Sequence, residues 1–226
     1  MTSDKLPFKK NKHRIVLIEK LNQRIQLKAE TPRYDFMQNV IPKLNTPGGV
    51  TYNEMLIISS DLLMAGSETT ATTLAGALYL LCRNPNAFAS ATDEVRNAFA
   101  NPKDIDMTST RYLVYLHGVV EETLRLFPPV PSTLPRITPP EGHLINGRFV
   151  PGDCRVLHFA NANLFRPERW FPSGPGGKNK VKITRPSKYD GDRREAFKTF
   201  SIGPRNCIGK HLAYAEIRTI LAKLLW

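Results

Sequence analysis

Residues 200–209 read Phe-Ser-Ile-Gly-Pro-Arg-Asn-Cys-Ile-Gly, and a helical pattern begins directly after Cys207 and runs to Trp226. A cysteine at a helix N-terminus meets unpaired N–H groups and the positive end of the helix dipole. Both favour the thiolate, the form that ligates metals. Gly203 and Gly209 let the backbone approach a flat ligand without a Cβ in the way. Arg205, two residues before the sulfur, can form a charge-assisted pair with a carboxylate on such a ligand. A cysteine taken alone is more often an inert, buried, small hydrophobe. Inside this frame the ligand reading is favoured.

Working back from that loop, the chain reads as a run of helices. Residues 13–30 form an amphipathic basic pattern with Ile15, Ile18, Leu21, Ile25 and Leu27 near one face, ended by Thr31-Pro32. A short helical piece around Tyr34–Ile41 and a turn over Asn45–Gly49 follow. Thr51 with Glu54 three residues on makes a capping box, and a long helix is expected over about 52–81. Pro85 opens another helix to about Ala100, Asp106–Thr110 is a connector with N-cap chemistry, and residues 111–127 are helical up to Pro128-Pro129. Residues 130–160 hold short β-like runs such as Ser132–Ile137 and Arg148–Pro151; residues 161–205 read as mostly irregular, with Ser173–Lys180 an exposed loop.

Further short patterns accompany the cysteine loop: Ala65-Gly66-Ser67-Glu68-Thr69-Thr70, Glu122-Thr-Leu-Arg125, Leu134-Pro135-Arg136 and Pro167-Glu-Arg169-Trp170. In order, with the loop, they resemble the cytochrome P-450 family of haem-thiolate monooxygenases, of the eukaryotic, fungal microsomal type. The resemblance runs from roughly Tyr34 to Trp226. It implies a mainly α fold with small β elements: a single partial cytochrome P-450 domain over 1–226, the C-terminal portion, truncated at both ends. A membrane anchor, early strands and distal helices would be missing in front and a closing β-hairpin behind, and a segment near Cys154–Asn163 is shorter than the family's.

The resemblance also implies roles. Cys207 would be the axial ligand of haem b, with Phe200, Gly203 and Gly209 framing it and Arg205 and Arg136 meeting the propionates. Ala65 and Gly66 would leave room for dioxygen above the iron. Thr69 lies three residues beyond Gly66, on the same helical face, and would donate a hydrogen bond to bound oxygen, with Glu68 relaying protons. Taken alone, this Gly/Thr-rich helix would be read as tightly packed core. Glu122, Arg125 and Arg169 would form a structural triad under the loop; as a mere surface pair, Glu122 and Arg125 would mean little. Substrates would be lipophilic, contacted near Leu62, Ala65 and Val130–Leu134. Electrons would come from NADPH through a reductase, and the complete family member would sit at the endoplasmic reticulum membrane. The competing reading is a non-catalytic truncated fragment that holds no haem.

Composition bounds these readings. With 41% hydrophobic and 23% charged residues in 226, the chain is globular. Cys82, Cys154 and Cys207 lie far apart, which disfavours a disulfide scaffold. There is no GxGxxG, GxxxxGK[ST] or GxSxG loop, and the five histidines fall in no metal-ligand spacing. No apolar signal core opens the sequence, and Asp61 and Glu68 interrupt the one transmembrane candidate, Met55–Cys82. The net charge of +12 is concentrated: residues 1–30 carry eight basic and three acidic side chains, residues 178–210 ten and three, and the remainder balances. A nucleic-acid module is the weakest reading, since the basic stretches lack interleaved aromatics. The resemblance instead assigns the 178–210 excess to docking an acidic reductase domain.

Overall fold

A computed structural model describes residues 12–27, 35–131, 163–173 and 184–226. Its helices are α1 (Lys12–Gln26), α2 (Tyr52–Arg83), α3 (Pro85–Ala98), α4 (Val114–Leu126) and α5 (Lys210–Leu225), joined by short 3-10 turns. The fold is mainly α. Among the described residues the only β pairing outside helices is an isolated bridge between Leu44 and Val50. The β-like runs at 132–137 and 148–151 lie outside the described residues, as does most of the 173–180 loop. None of the helices is long and apolar enough to cross a membrane, among the described residues.

The chain divides into two compact units, Met1–Ser67 and Glu68–Trp226, the division falling within α2. In the first unit, α1 ends at Gln26, short of the expected 13–30, and its expected apolar face forms in part, with Leu21 buried and Ile18 and Ile25 half-buried. Ile15 and Leu27 are 52% and 48% exposed, while Leu21 and Arg24 are the buried positions. Arg24 Nε donates to Asp35 Oδ2 at 2.7 Å and its Nη2 to Gln38 Oε1 at 3.1 Å, so a charged pair joins Leu21 on the buried side. That pairing holds the Asp35 carboxyl below its ordinary range. The helical piece expected at Tyr34–Ile41 is instead a turn over 36–40 leading into a 3-10 turn, Ile41–Lys43. Asn45 and Gly48 take positive φ in the loop that follows. A Cβ on Gly49 would come within 2.0 Å of the Lys43 carbonyl oxygen, so that position tolerates only glycine. The capping box forms as expected: Thr51 N–H donates to Glu54 Oε2 at 2.8 Å and Glu54 N–H to Thr51 Oγ1 at 3.2 Å.

The second unit holds the core. Ala77 and Leu81 from α2, Ala91 and Val95 from α3, Leu116, Val119 and Val120 from α4, and Ile217 and Leu221 from α5 are all essentially inaccessible. Burying each large aliphatic side chain stabilises the unit by about 1.5–3 kcal/mol before chain entropy is subtracted. Helix α4 begins at Val114 rather than 111, because Ser109–Tyr112 winds as a 3-10 turn and Leu113 is extended. Its first amides are capped across space: Glu94 on α3 accepts from Tyr115 N and Leu116 N, both at 2.8 Å. Gly118 lets the 3-10 turn Pro167–Trp170 lie against α4; a Cβ there would meet the Pro167 carbonyl oxygen at 2.6 Å.

Candidate functional site: a buried carboxylate hub beneath an exposed cysteine loop

Helix α4 aims Glu122 into the core, where its side chain is fully buried. Five donors converge on that carboxylate. Arg125 Nη2, Arg166 N and Arg169 Nε reach Oε1 at 2.9, 2.9 and 3.2 Å, and Arg125 Nε and Trp170 Nε1 reach Oε2 at 2.8 and 2.9 Å. Arg169, also inaccessible, donates through Nη1 to Asp192 Oδ2 at 2.9 Å and stacks its guanidinium 4.6 Å from the centroid of the Tyr189 ring. Two arginines against Glu122 and Asp192 make the cluster formally neutral, which offsets the desolvation that an unbalanced buried charge would carry. The structure thus brings Glu122, Arg125 and Arg169 together. Trp170, the last residue of the Pro167–Trp170 pattern, joins them, as do Asp192, Tyr189 and the Arg166 amide, to which no pattern in the sequence pointed.

The cysteine loop turns back on itself. Cys207 N–H donates to the Phe200 carbonyl at 2.9 Å and Asn206 N–H to the Gly203 carbonyl at 3.0 Å. Ser201 and Gly203 both take positive φ, +61° and +77°; at Ser201, a non-glycine residue, this conformation costs about 1–2 kcal/mol. Gly203 is therefore needed for its backbone angle, with open space where a Cβ would stand. Cys207 is a free, exposed thiol. Its sulfur would lie 3.9 Å from a Cβ on Gly209, the N-cap residue of α5, whose first turn receives no side-chain cap. The thiol thus stands at an uncapped helix N-terminus, as the sequence led one to expect. Arg205 is exposed at the end of the 3-10 turn Gly203–Arg205, and Arg136 lies outside the described residues.

On α2, Thr69 is half-buried and Glu68 exposed. Thr69, Thr70 and Thr73 line one side of a small cleft of about 30 Å³, with Phe200 of the cysteine loop and Ala213 and Ile217 of α5 on the other. Thr69 and the cysteine loop therefore share a cleft, one with room for about a single water-sized molecule. Ala65 and Gly66 are exposed positions of the first unit, and a Cβ on Gly66 would meet nothing within 4 Å. The exposed Cys207 thiol at the uncapped N-terminus of α5 is a donor suited, as thiolate, to hold the iron of a flat macrocycle from one side.

The Cytochrome P-450 family model matches residues 7–226, so the chain belongs to the cytochrome P-450 family, a haem-thiolate family. Its relatives include fungal proteins. The chain is 42% identical over 219 residues to versicolorin B desaturase of Aspergillus parasiticus, covering 92% of this chain and 42% of that protein. It is 40% identical over 208 residues to cytochrome P-450 monooxygenase aclL of Aspergillus oryzae, covering 87% and 40%. To cytochrome P-450 monooxygenase sthF of Phaeosphaeria nodorum it is 38% identical over 226 residues, covering 95% and 42%. The chain thus spans about two fifths of the length of these relatives.

Proposed function

We propose that this chain is the haem-ligating part of a monooxygenase, a single partial domain in which Cys207 binds the iron of haem b. Haem held there would supply dioxygen activation, the net reaction being RH + O2 + two electrons + two protons giving ROH + water. The chain's own residues then do the rest. Cys207 donates electron density as thiolate, and Phe200, Gly203 and Gly209 shape the loop that presents it. Arg205 and Arg136 pair with the propionates. Thr69 holds a proton at Oγ1 and Glu68, open to solvent, resupplies it; Ala65 and Gly66 keep that stretch of α2 free of side-chain bulk. Glu122, Arg125 and Arg169 keep the scaffold of the loop rigid and touch no reactant.

The substrate is a lipophilic small molecule of secondary metabolism, in keeping with relatives named as a desaturase and monooxygenases. Electrons come from NADPH through a reductase whose docking surface is acidic. In support, the three acidic residues of 178–210 are each paired: Asp190 with Arg185, Asp192 with Arg169, and Glu195 with Arg193. Lys188, Lys198 and Lys210 are left exposed, a positive surface suited to such a partner. The complete protein works at the endoplasmic reticulum membrane.

The observation that carries this reading is the exposed Cys207 thiol at the uncapped N-terminus of α5, in a loop closed by its own N–H on the Phe200 carbonyl. Residues 1–226 expressed with haem supply and reduced under carbon monoxide should show the strongly red-shifted Soret band of thiolate ligation, lost in Cys207→Ala. A band that survives Cys207→Ala refutes the ligand assignment. No band in the wild-type chain favours the second reading, a fragment that does not hold haem. That second reading draws on the coverage of two fifths of the relatives' length.

A further inference from the structure

Between α4 and α5 lies a cluster of ionisable side chains, buried at Tyr214 and Glu121, to which the monooxygenase reading gives no task. Tyr214, on α5, is 9% exposed and donates its hydroxyl to Glu121 Oε1 on α4, itself 8% exposed. The same phenol ring packs on two others: His117, with centroids 5.6 Å apart, and Phe200 of the cysteine loop, at 5.1 Å and an interplanar angle of 45°. Phe200 in turn accepts the Cys207 N–H on its carbonyl at 2.9 Å. Lys210 Nζ stands 5.8 Å from the Phe200 ring centroid, and Arg218 Cζ 6.0 Å from that of Tyr214. Burial pushes the Glu121 carboxyl up, against the hydrogen bond from Tyr214 and the charges of Lys210 and Arg218; burial and Glu121 together push the Tyr214 hydroxyl up, so it stays a donor. A phenylalanine at 214 would fill the same volume without requiring a buried carboxylate beside it. Packing alone therefore does not account for the pair.

We propose that Tyr214, anchored by Glu121, is a positioning residue for the Cys207 loop. It fixes the Phe200 ring, and the Phe200 backbone fixes the Cys207 amide, so the set of the sulfur over α5 depends on a hydroxyl–carboxylate contact made with α4. The inference deepens the reading of Cys207 as haem ligand and rests on it for its functional meaning.

Amide hydrogen exchange on the full chain tests it, comparing the peptide spanning 200–209 with the α3 peptide Pro85–Ala98 as reference. Tyr214→Phe and Glu121→Gln should each speed exchange in the loop at least twofold, and Tyr214→Leu at least fivefold, with the reference unchanged. The double variant Tyr214→Phe/Glu121→Gln should be no faster than either single one, because both remove the same contact. Unchanged loop exchange in Tyr214→Phe and Glu121→Gln overturns the proposal, and so does equal acceleration in loop and reference, the mark of general loosening. Should Tyr214→Leu fail to fold, the two milder variants decide. This readout needs no haem. A wild-type chain without the red-shifted band would sink the monooxygenase reading and leave the positioning result standing. In haem-loaded protein, Tyr214→Phe should lower the fraction of reduced, carbon-monoxide-bound protein that absorbs at the thiolate position. An undiminished fraction overturns the link from loop to ligand.

Discussion

Glu122→Gln is the sharpest test of the buried hub, because the substitution keeps size and shape and removes only charge and one acceptor. Three of the five donors point at Oε1 and two, Arg125 Nε and Trp170 Nε1, at Oε2. With the amide oxygen on the Oε1 side, the amide NH2 confronts the other two donors; the opposite flip sets it against three. Each buried donor left without an acceptor costs about 1–3 kcal/mol. Asp192 remains to balance Arg169, but Arg125, whose side chain is 8% exposed, is left next to a neutral group. Removing one partner of a buried pair costs about 3–5 kcal/mol, and the two estimates agree on that scale. Urea melts followed by far-UV circular dichroism and by the fluorescence of Trp170 and Trp226 should place the Glu122→Gln midpoint roughly 1–5 M below wild type at an m of about 1–3 kcal/mol/M. A shift under about 0.5 kcal/mol would refute the argument, since it would mean the five contacts are not made together in solution.

Other changes have equally definite outcomes. Gly118→Ala forces a Cβ to within 2.6 Å of the Pro167 carbonyl oxygen and 3.3 Å of Phe171 Cε1, so the 167–170 turn must move; equilibrium unfolding should show a loss of about 1–3 kcal/mol. His117 is pushed down from 6.5 to about 4, by burial first and by Arg218 second, so the folded state prefers the neutral ring. Its contribution is complete above the unfolded value and is lost as pH falls from about 6.5 to about 4. With 42% of the side chain exposed, solvent screening reduces the loss to roughly 1 kcal/mol. His117→Gln should flatten that part of the stability–pH curve. Glu94 and Glu121, both raised by burial, act in the other direction, withdrawing stability as pH rises above 4.5. In the complete enzyme, Thr69→Ala should lower product formed per electron consumed, measured by coupled NADPH and product assays, while an unchanged ratio removes Thr69 from proton delivery.

Helix positions were legible because the chain advertises its helix ends by local chemistry. Thr51 and Glu54 lie three residues apart, so a reader finds the start of α2 without knowing the fold. Pro85 does the same for α3. The start of α4 was not legible. Its cap is Glu94, some twenty residues earlier on another helix, and the local threonines and serine around 108–110 wind into a 3-10 turn instead. The burial of Arg24 on α1 was not legible for a related reason. Its apolar residues at 15 and 27 face solvent while Arg24 turns inward, because Asp35 and Gln38 satisfy the guanidinium and make its burial tolerable.

The candidate site divides along the same line. Gly203, Arg205 and Cys207 fall within four positions of one another, and Glu122 and Arg125 within three; short spacings of this kind are what a motif can hold. What closes the hub comes from far away. Trp170 reaches Glu122 across 48 positions, and Asp192 reaches Arg169 across 23. Neither has a partner recognisable by spacing, since a buried indole and a buried carboxylate owe their placement to which other groups are already inside. Tyr214 and Glu121 are the extreme case, 93 residues apart. In the sequence, Glu121 is merely the neighbour of Glu122, and the two carboxylates look alike. In the fold they serve different sides of α4: Glu122 neutralises arginines from the 163–173 segment and its own helix, while Glu121 ties down a tyrosine packed against the cysteine loop. Adjacent residues on a helix are rotated by about 100°, so two neighbouring acids can be buried at once only if each finds its own partners on a different side. The doubled glutamate of α4 is therefore the feature on which both the hub and the loop depend.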